Sequence, residues 1–176
     1  MRVALATTVL AAAMAVGTTP AAAATPPTQR QISRAVAAAK SSKNLWATIN
    51  ICNSRADPYT VGVRGQMPSL GFSTSMSMTV KLQSYDTTTK QFVAIDSPYA
   101  VNQRTLGSHS TGLQQWGAVF PFATGQTGKW NAVIVFSWKR DGKVLGQVQR
   151  RTTAGHPSAD YGSPAHYSAA SCTIRS

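Results

Sequence analysis

The chain reads as an all-β domain: two antiparallel sheets packed as a sandwich, one disulfide, and a short N-terminal helix or tether. Three observations carry that expectation. After Leu45 apolar and polar residues alternate with period two in several runs, the signature of strands with one buried face. Clusters rich in Gly, Pro, Asn and Asp punctuate the runs, as turns require. The chain has two cysteines, Cys52 and Cys172, near the two ends of this patterned region.

Three segments are expected. Residues 1–24 have the form of a secretory leader: Met1-Arg2, an apolar run from Val3 to Val16, and the small residues Ala21 to Ala24 before the cleavage point. The apolar run is too short to span a bilayer, and no later stretch is long and apolar enough to do so. Residues 25–44 form a basic lead-in, with Ile32, Val36 and Ala39 making one apolar stripe on a short helix from Gln31 to Lys40, or else a tether. Residues 45–176 form the sandwich domain.

Within that domain Leu45, Ala47, Ile49 and Ile51 share one face of a first strand ending at Cys52. A second runs from Tyr59 to Gly65, stopped by Met67-Pro68. Between Phe72 and Tyr85, Met76, Met78, Val80 and Leu82 face one way and Ser75, Ser77, Thr79, Lys81 and Gln83 the other, which predicts a sheet with one wet face. The loop Asp86 to Lys90 folds this strand into a hairpin with Gln91 to Ile95. Leu113 to Phe122 and Trp130 to Lys139 are further strands. For the next hairpin a three-residue loop, Arg140-Asp141-Gly142, sets Trp138, Phe136 and Ile134 across from Val144, Gly146 and Val148 and leaves Lys139 opposite Lys143. Thr152 to Pro164 reads as a long loop, and Tyr167 to Ile174 as the last strand.

Composition narrows function more than any motif does. There is no Glu, and five Asp stand against 17 Lys and Arg, for a formal charge of +12. Loss of Arg2 with the leader lowers this to +11. Charged residues make up only 12% of the chain, so the surface is Ser/Thr/Gln-rich with a positive bias, suited to an anionic envelope polymer, glycan or protein partner. Specific nucleic-acid recognition is not expected. Lys139, Arg140 and Lys143 at the hairpin tip form the densest local cationic cluster, and Trp116, beside Gln114, Gln115 and Gly117, is the aromatic residue with the best prospect of an exposed contact role.

Catalytic signals are weak. No Gly-x-Ser-x-Gly elbow, His-Glu-x-x-His helix or unpaired cysteine is present, and the lack of Glu removes one set of acid–base groups. His156, Asp160 and His166 share a loop and are candidate metal ligands, with His109 able to join only through a tertiary contact, but their spacing matches no standard site. An enzyme is not expected and no cofactor is implied. The functional expectation is a secreted binding or structural module of the cell envelope; the alternatives are an electrostatic polyanion-binding protein and a small metal-dependent or hydrolytic enzyme.

Two cysteines in an exported domain allow one pairing, a structural Cys52–Cys172 bond formed in an oxidising compartment and tying the first and last strands. About seven strands with Gly/Pro turns resemble the immunoglobulin-like and fibronectin type III-like sandwiches. The chain departs from true immunoglobulins: the cysteines are far apart in sequence, and Ala170 stands where a tyrosine corner would place Tyr. The stretches Leu45 to Cys52, Val61 to Pro68 and Tyr167 to Ile174 are also similar to an uncharacterised family of secreted bacterial proteins. That resemblance implies secretion and the disulfide, and brings no activity or binding residue with it.

Overall fold

A computed structural model describes residues 25–175. The expected leader lies outside the described residues. The chain begins with helix α1 (Gln29–Ser41) and continues through β1 (Trp46–Cys52), β2 (Thr60–Pro68), β3 (Thr74–Asp86), β4 (Gln91–Ala94), a 3₁₀ turn (Pro98–Ala100), β5 (Val101–His109), β6 (Leu113–Pro121), β7 (Gly128–Arg140), β8 (Lys143–Arg151) and β9 (Cys172–Ile174).

All strand pairings are antiparallel and fall into two sheets. The smaller has the order β1-β2-β6. In the larger, β3 and β7 lie side by side as 13-residue strands, and each has two shorter partners on its outer edge: β5 and β4 along β3, β8 and β9 along β7. The alternation read from the sequence is what packs. Met76, Met78, Val80 and Leu82 of β3 and Ile134, Phe136 and Trp138 of β7 are buried against Ile49, Val61 and Val63 of the smaller sheet. Gly65 lets the sheets approach: a Cβ there would lie 2.7 Å from Cδ1 of Ile134. The Trp138 indole N–H donates across the gap to the Pro68 carbonyl at 2.8 Å.

Of helix and tether, the helix forms, and it starts two residues before the expected boundary. Thr28 caps it, its hydroxyl accepting the Gln31 N–H while the Gln31 side chain accepts the Thr28 N–H, a capping box spelled Thr-x-x-Gln. The stripe is used as expected, Val36 and Ala39 being buried. Val36 packs over β8 so closely that a Cβ on Gly146 would meet its Cγ1 at 2.5 Å. At the other end the Arg150 guanidinium donates to the Lys40 carbonyl, satisfying an orphan acceptor where the helix dipole favours a cation.

Four boundary expectations need correction. β2 runs on through Met67 to Pro68, because Pro68 falls at a strand end where its missing N–H costs no ladder bond. A strand with no sequence signal, β5, borders β3; seven of its nine residues are exposed, so it has almost no apolar face to betray it. The last strand is only Cys172–Ile174, and residues before it run as irregular chain against β1.

The β7–β8 hairpin is the fourth. Asp141 (φ 49°) and Gly142 (φ 75°) alone make the turn, the two positive φ values of a type I′ connection. Arg140 therefore pairs with Lys143 and Lys139 with Val144. The face conflict that this turn creates is relieved by a bulge: the register shifts after Trp138, Leu145 is the extra residue, and Trp138 and Phe136 then face Gly146 and Val148.

Candidate functional site

The register divides the expected cationic cluster, although Lys139 and Arg140 border one cleft with Ser75, Ser108 and Asp141. Lys139 shares the outward face of β7, whereas Arg140 and Lys143, paired with each other, lie on the opposite side of the hairpin. Arg140 is drawn inward, its guanidinium 5.9 Å from the Phe72 ring and its Nε 3.7 Å from the Asp141 carboxylate. That is the one ion pair within 4 Å among the described residues. Trp116 pairs with Gly65 in the β2–β6 ladder and packs half-buried against the core, so the structure places it on the inner face of the small sheet.

The long loop after β8 has a structural task that the strand pattern alone did not disclose. It folds over β1. The free edge of that strand is covered by backbone bonds between Ile49 and Ala169 in both directions, and from the Thr153 and Ser163 N–H groups to the Ala47 and Asn50 carbonyls. Consequently both faces of β1 are buried: Thr48 contacts the Ser168 hydroxyl at 2.8 Å, and the Asn50 amide donates to the Asp160 and Tyr161 carbonyls.

Within this loop His156, Asp160 and His166 are engaged by different partners, although Asp160 and His166 border one cleft. The His156 ring stacks on Trp46 at 4.7 Å with planes 12° apart, and its Nε2 lies 3.0 Å from the Thr153 hydroxyl. Asp160 is held by its backbone, its N–H donating to Gln115 and its carbonyl accepting from Asn50 and Arg64. His166 turns its Nδ1 to the Pro157 carbonyl, and His109, on β5, turns its Nε2 to the Leu106 carbonyl. Among the described residues no three His, Cys, Asp or Glu side chains come together as a metal-binding group. The Arg64 guanidinium lies over the exposed Tyr161 ring at 4.8 Å; burial lowers its pKa, opposed by the charge of Asp160.

Burial against Trp46 lowers the pKa of His156 below its ordinary value of 6.5. Over the window between the two values the unfolded chain holds more protons than the folded one, so stability rises with pH there. The contribution is complete above about pH 6.5 and is lost as pH falls through the folded-state value. We expect thermal midpoints measured at pH 7.5 and 5.0 to differ less in His156→Gln than in the parent. Asp86, held low by the Thr88 N–H and the Thr89 hydroxyl, acts only in a more acidic window below its ordinary value of 3.8 and does not confuse the comparison.

The outward face of the larger sheet is lined mostly by polar and cationic side chains. Its cross-strand rows can be read from the registers: Ser108, Ser75 and Lys139; Thr105, Ser77, Ser137 and Gln147; Gln103, Thr79, Val135 and Gln149; Val101, Lys81, Val133 and Arg151; then Ala94, Gln83 and Asn131. Tyr85 and Phe92 close it, ring centroids 5.3 Å apart, with the Lys129 ammonium 5.0 Å from the Tyr85 ring. Four cations thus stand among hydroxyls and amides. None of these rows contains an Asp, because all five fall at turns, loops or a strand end. Sequence reasoning saw the wet face of β3 but not its continuation, since β5 went unrecognised.

No protein-family model matches the chain, and no curated protein matches it. Among solved structures, one named as a β-galactosidase from Bacteroides fragilis aligns over 65% of this chain at 12% identity with a TM-score of 0.35. The chain spans 17% of that protein's length. At that score the likeness carries no argument about fold or activity.

Proposed function

We propose that the chain is an extracytoplasmic binding module of the cell envelope, an immunoglobulin-like sandwich in the broad sense, that engages an anionic polymer through the outward face of its larger sheet. The observation that supports this reading is the separation of charge: Lys81, Lys129, Lys139 and Arg151 project from one sheet face whose cross-strand rows carry no carboxylate. Such a face holds a net positive potential, its four cations outnumbering the Asp141 carboxylate that borders it at the hairpin end. A disulfide suits the oxidising compartment that this role requires. No described helix is long and apolar enough to cross a membrane.

The test is binding of soluble polyanions at two ionic strengths. Neutralising about four charges predicts an affinity loss of roughly tenfold to a hundredfold between 50 and 200 mM salt. Lys81→Gln/Lys139→Gln/Arg151→Gln should abolish most of that dependence, while Arg30→Gln/Arg34→Gln on the helix, which removes charge elsewhere, should leave more of it. Equal losses in the two variants would show that net charge, and not this face, attracts the ligand.

A further inference from the structure

We infer that Gln83 and Asn131 are the hydroxyl-reading groups of a saccharide subsite on this face, and that its occupant is a carboxylated glycan. The inference rests on the anionic-polymer reading above and deepens it. Gln83 and Asn131 are directly opposed in the β3–β7 ladder. Two opposed amides would ordinarily satisfy one another, yet Gln83 Oε1 and Asn131 Oδ1 are both buried without a hydrogen-bond partner. Asn131 is only 2% exposed although it projects from the outward face. It occupies the gap where the neighbour of β7 changes from β8, which ends opposite Val133, to β9, which begins opposite Trp130. Farther along the same strand Ser137, 4% exposed, also has an unpartnered hydroxyl.

Unpartnered buried acceptors in native proteins call for a donor. Here the donors would come from ligand hydroxyls. The residues on either side supply what else a sugar acid needs: the Tyr85–Phe92 pair offers ring surface for the apolar face of a pyranose, and Lys81 and Arg151, two positions along the strands from Gln83, offer cations for a carboxylate. Charge spacing selects a glycan over a phosphodiester. From the Tyr85 row to the Ser75 row the face runs about 33 Å at the usual rise per residue. Its cations are separated along β3 by four residues and then by six, with Ser, Thr and Gln between. A duplex, with a charge about every 1.7 Å, exceeds that density many times over, whereas a polymer with more hydroxyls than charges matches it.

The experiment titrates ¹⁵N-labelled protein with oligogalacturonate, a neutral oligosaccharide of equal length, inorganic polyphosphate and duplex DNA in 100 mM salt. The expected result is that oligogalacturonate shifts the Gln83 and Asn131 side-chain amide resonances and binds at least tenfold more tightly than polyphosphate, with the neutral sugar weakest. Gln83→Ala should reduce oligogalacturonate affinity about tenfold and leave polyphosphate binding unchanged. Because Asn131→Ala bears on a buried position, Asn131→Ser with an unchanged melting curve serves as its folded counterpart. Polyphosphate or DNA binding as tightly as the glycan, or glycan binding that leaves both amide resonances in place, overturns the saccharide subsite while leaving the anionic-polymer reading standing. Absence of binding to every polyanion even at 20 mM salt defeats both.

Discussion

Removing the disulfide by Cys52→Ala/Cys172→Ala is expected to lower the unfolding free energy by about 4 to 5 kcal/mol, the loop-closure value for a bond between residues 120 positions apart. The bond joins an edge strand of the small sheet to β9 at the margin of the large one, with the two Cα atoms 5.3 Å apart. β9 is three residues long and keeps few ladder bonds of its own, so the covalent link holds the C-terminal segment against the two sheets. The loop before β9 in turn covers the edge of β1. We therefore expect the Ile49 and Ala169 amides to lose hydrogen-exchange protection before the β3–β7 amides do. The melting midpoint should fall by roughly 10 °C or more for a chain of this size. A fall of only one or two degrees would mean that the sheets are held together without the bond.

The second large effect is expected at Trp138. It is fully buried, lies opposite Gly146 and Met76 near the hairpin end of β7, and donates its indole N–H to the Pro68 carbonyl of the small sheet. Trp138→Ala should cost about 3 to 5 kcal/mol through lost packing and the cavity left behind. Trp138→Phe retains most of the ring but orphans the Pro68 acceptor, for about 1 to 3 kcal/mol. Urea unfolding of both variants separates the two contributions. If the Phe variant is as unstable as the Ala variant, the hydrogen bond between sheets outweighs the packing; if the Ala variant loses less than 1 kcal/mol, the core assignment itself is wrong.

What was legible follows the strength of each physical signal. Met76, Met78, Val80 and Leu82 announce a half-buried strand because side chains alternate across a sheet. β5 gives no such signal, since a strand on a sheet edge is held by backbone bonds to β3 and needs no apolar face. The β7–β8 turn shows a subtler limit. Asp-Gly is a strong local turn signal, and the face conflict it raised was real, but a three-residue loop and a two-residue turn with a bulge both resolve it. The choice of the bulge places Gly146 beneath Val36, a contact across the chain that local pattern does not contain.

The candidate surfaces divide in the same way. From the sequence came the excess of Lys and Arg over five Asp, the disulfide partners, and the one wet face of β3. Those are properties of composition, of an even cysteine count, and of period-two patterning, and they hold whichever strands become neighbours. The tertiary structure decided that Arg140 pairs with Lys143 and Lys139 with Val144, that His156 lies on Trp46 while His166 turns to the Pro157 carbonyl, and that Gln83 meets Asn131 with neither carbonyl oxygen satisfied. Each of these depends on which distant segments pair and in what register. A one-residue shift moves a side chain to the opposite face of its sheet, and no local propensity encodes that shift.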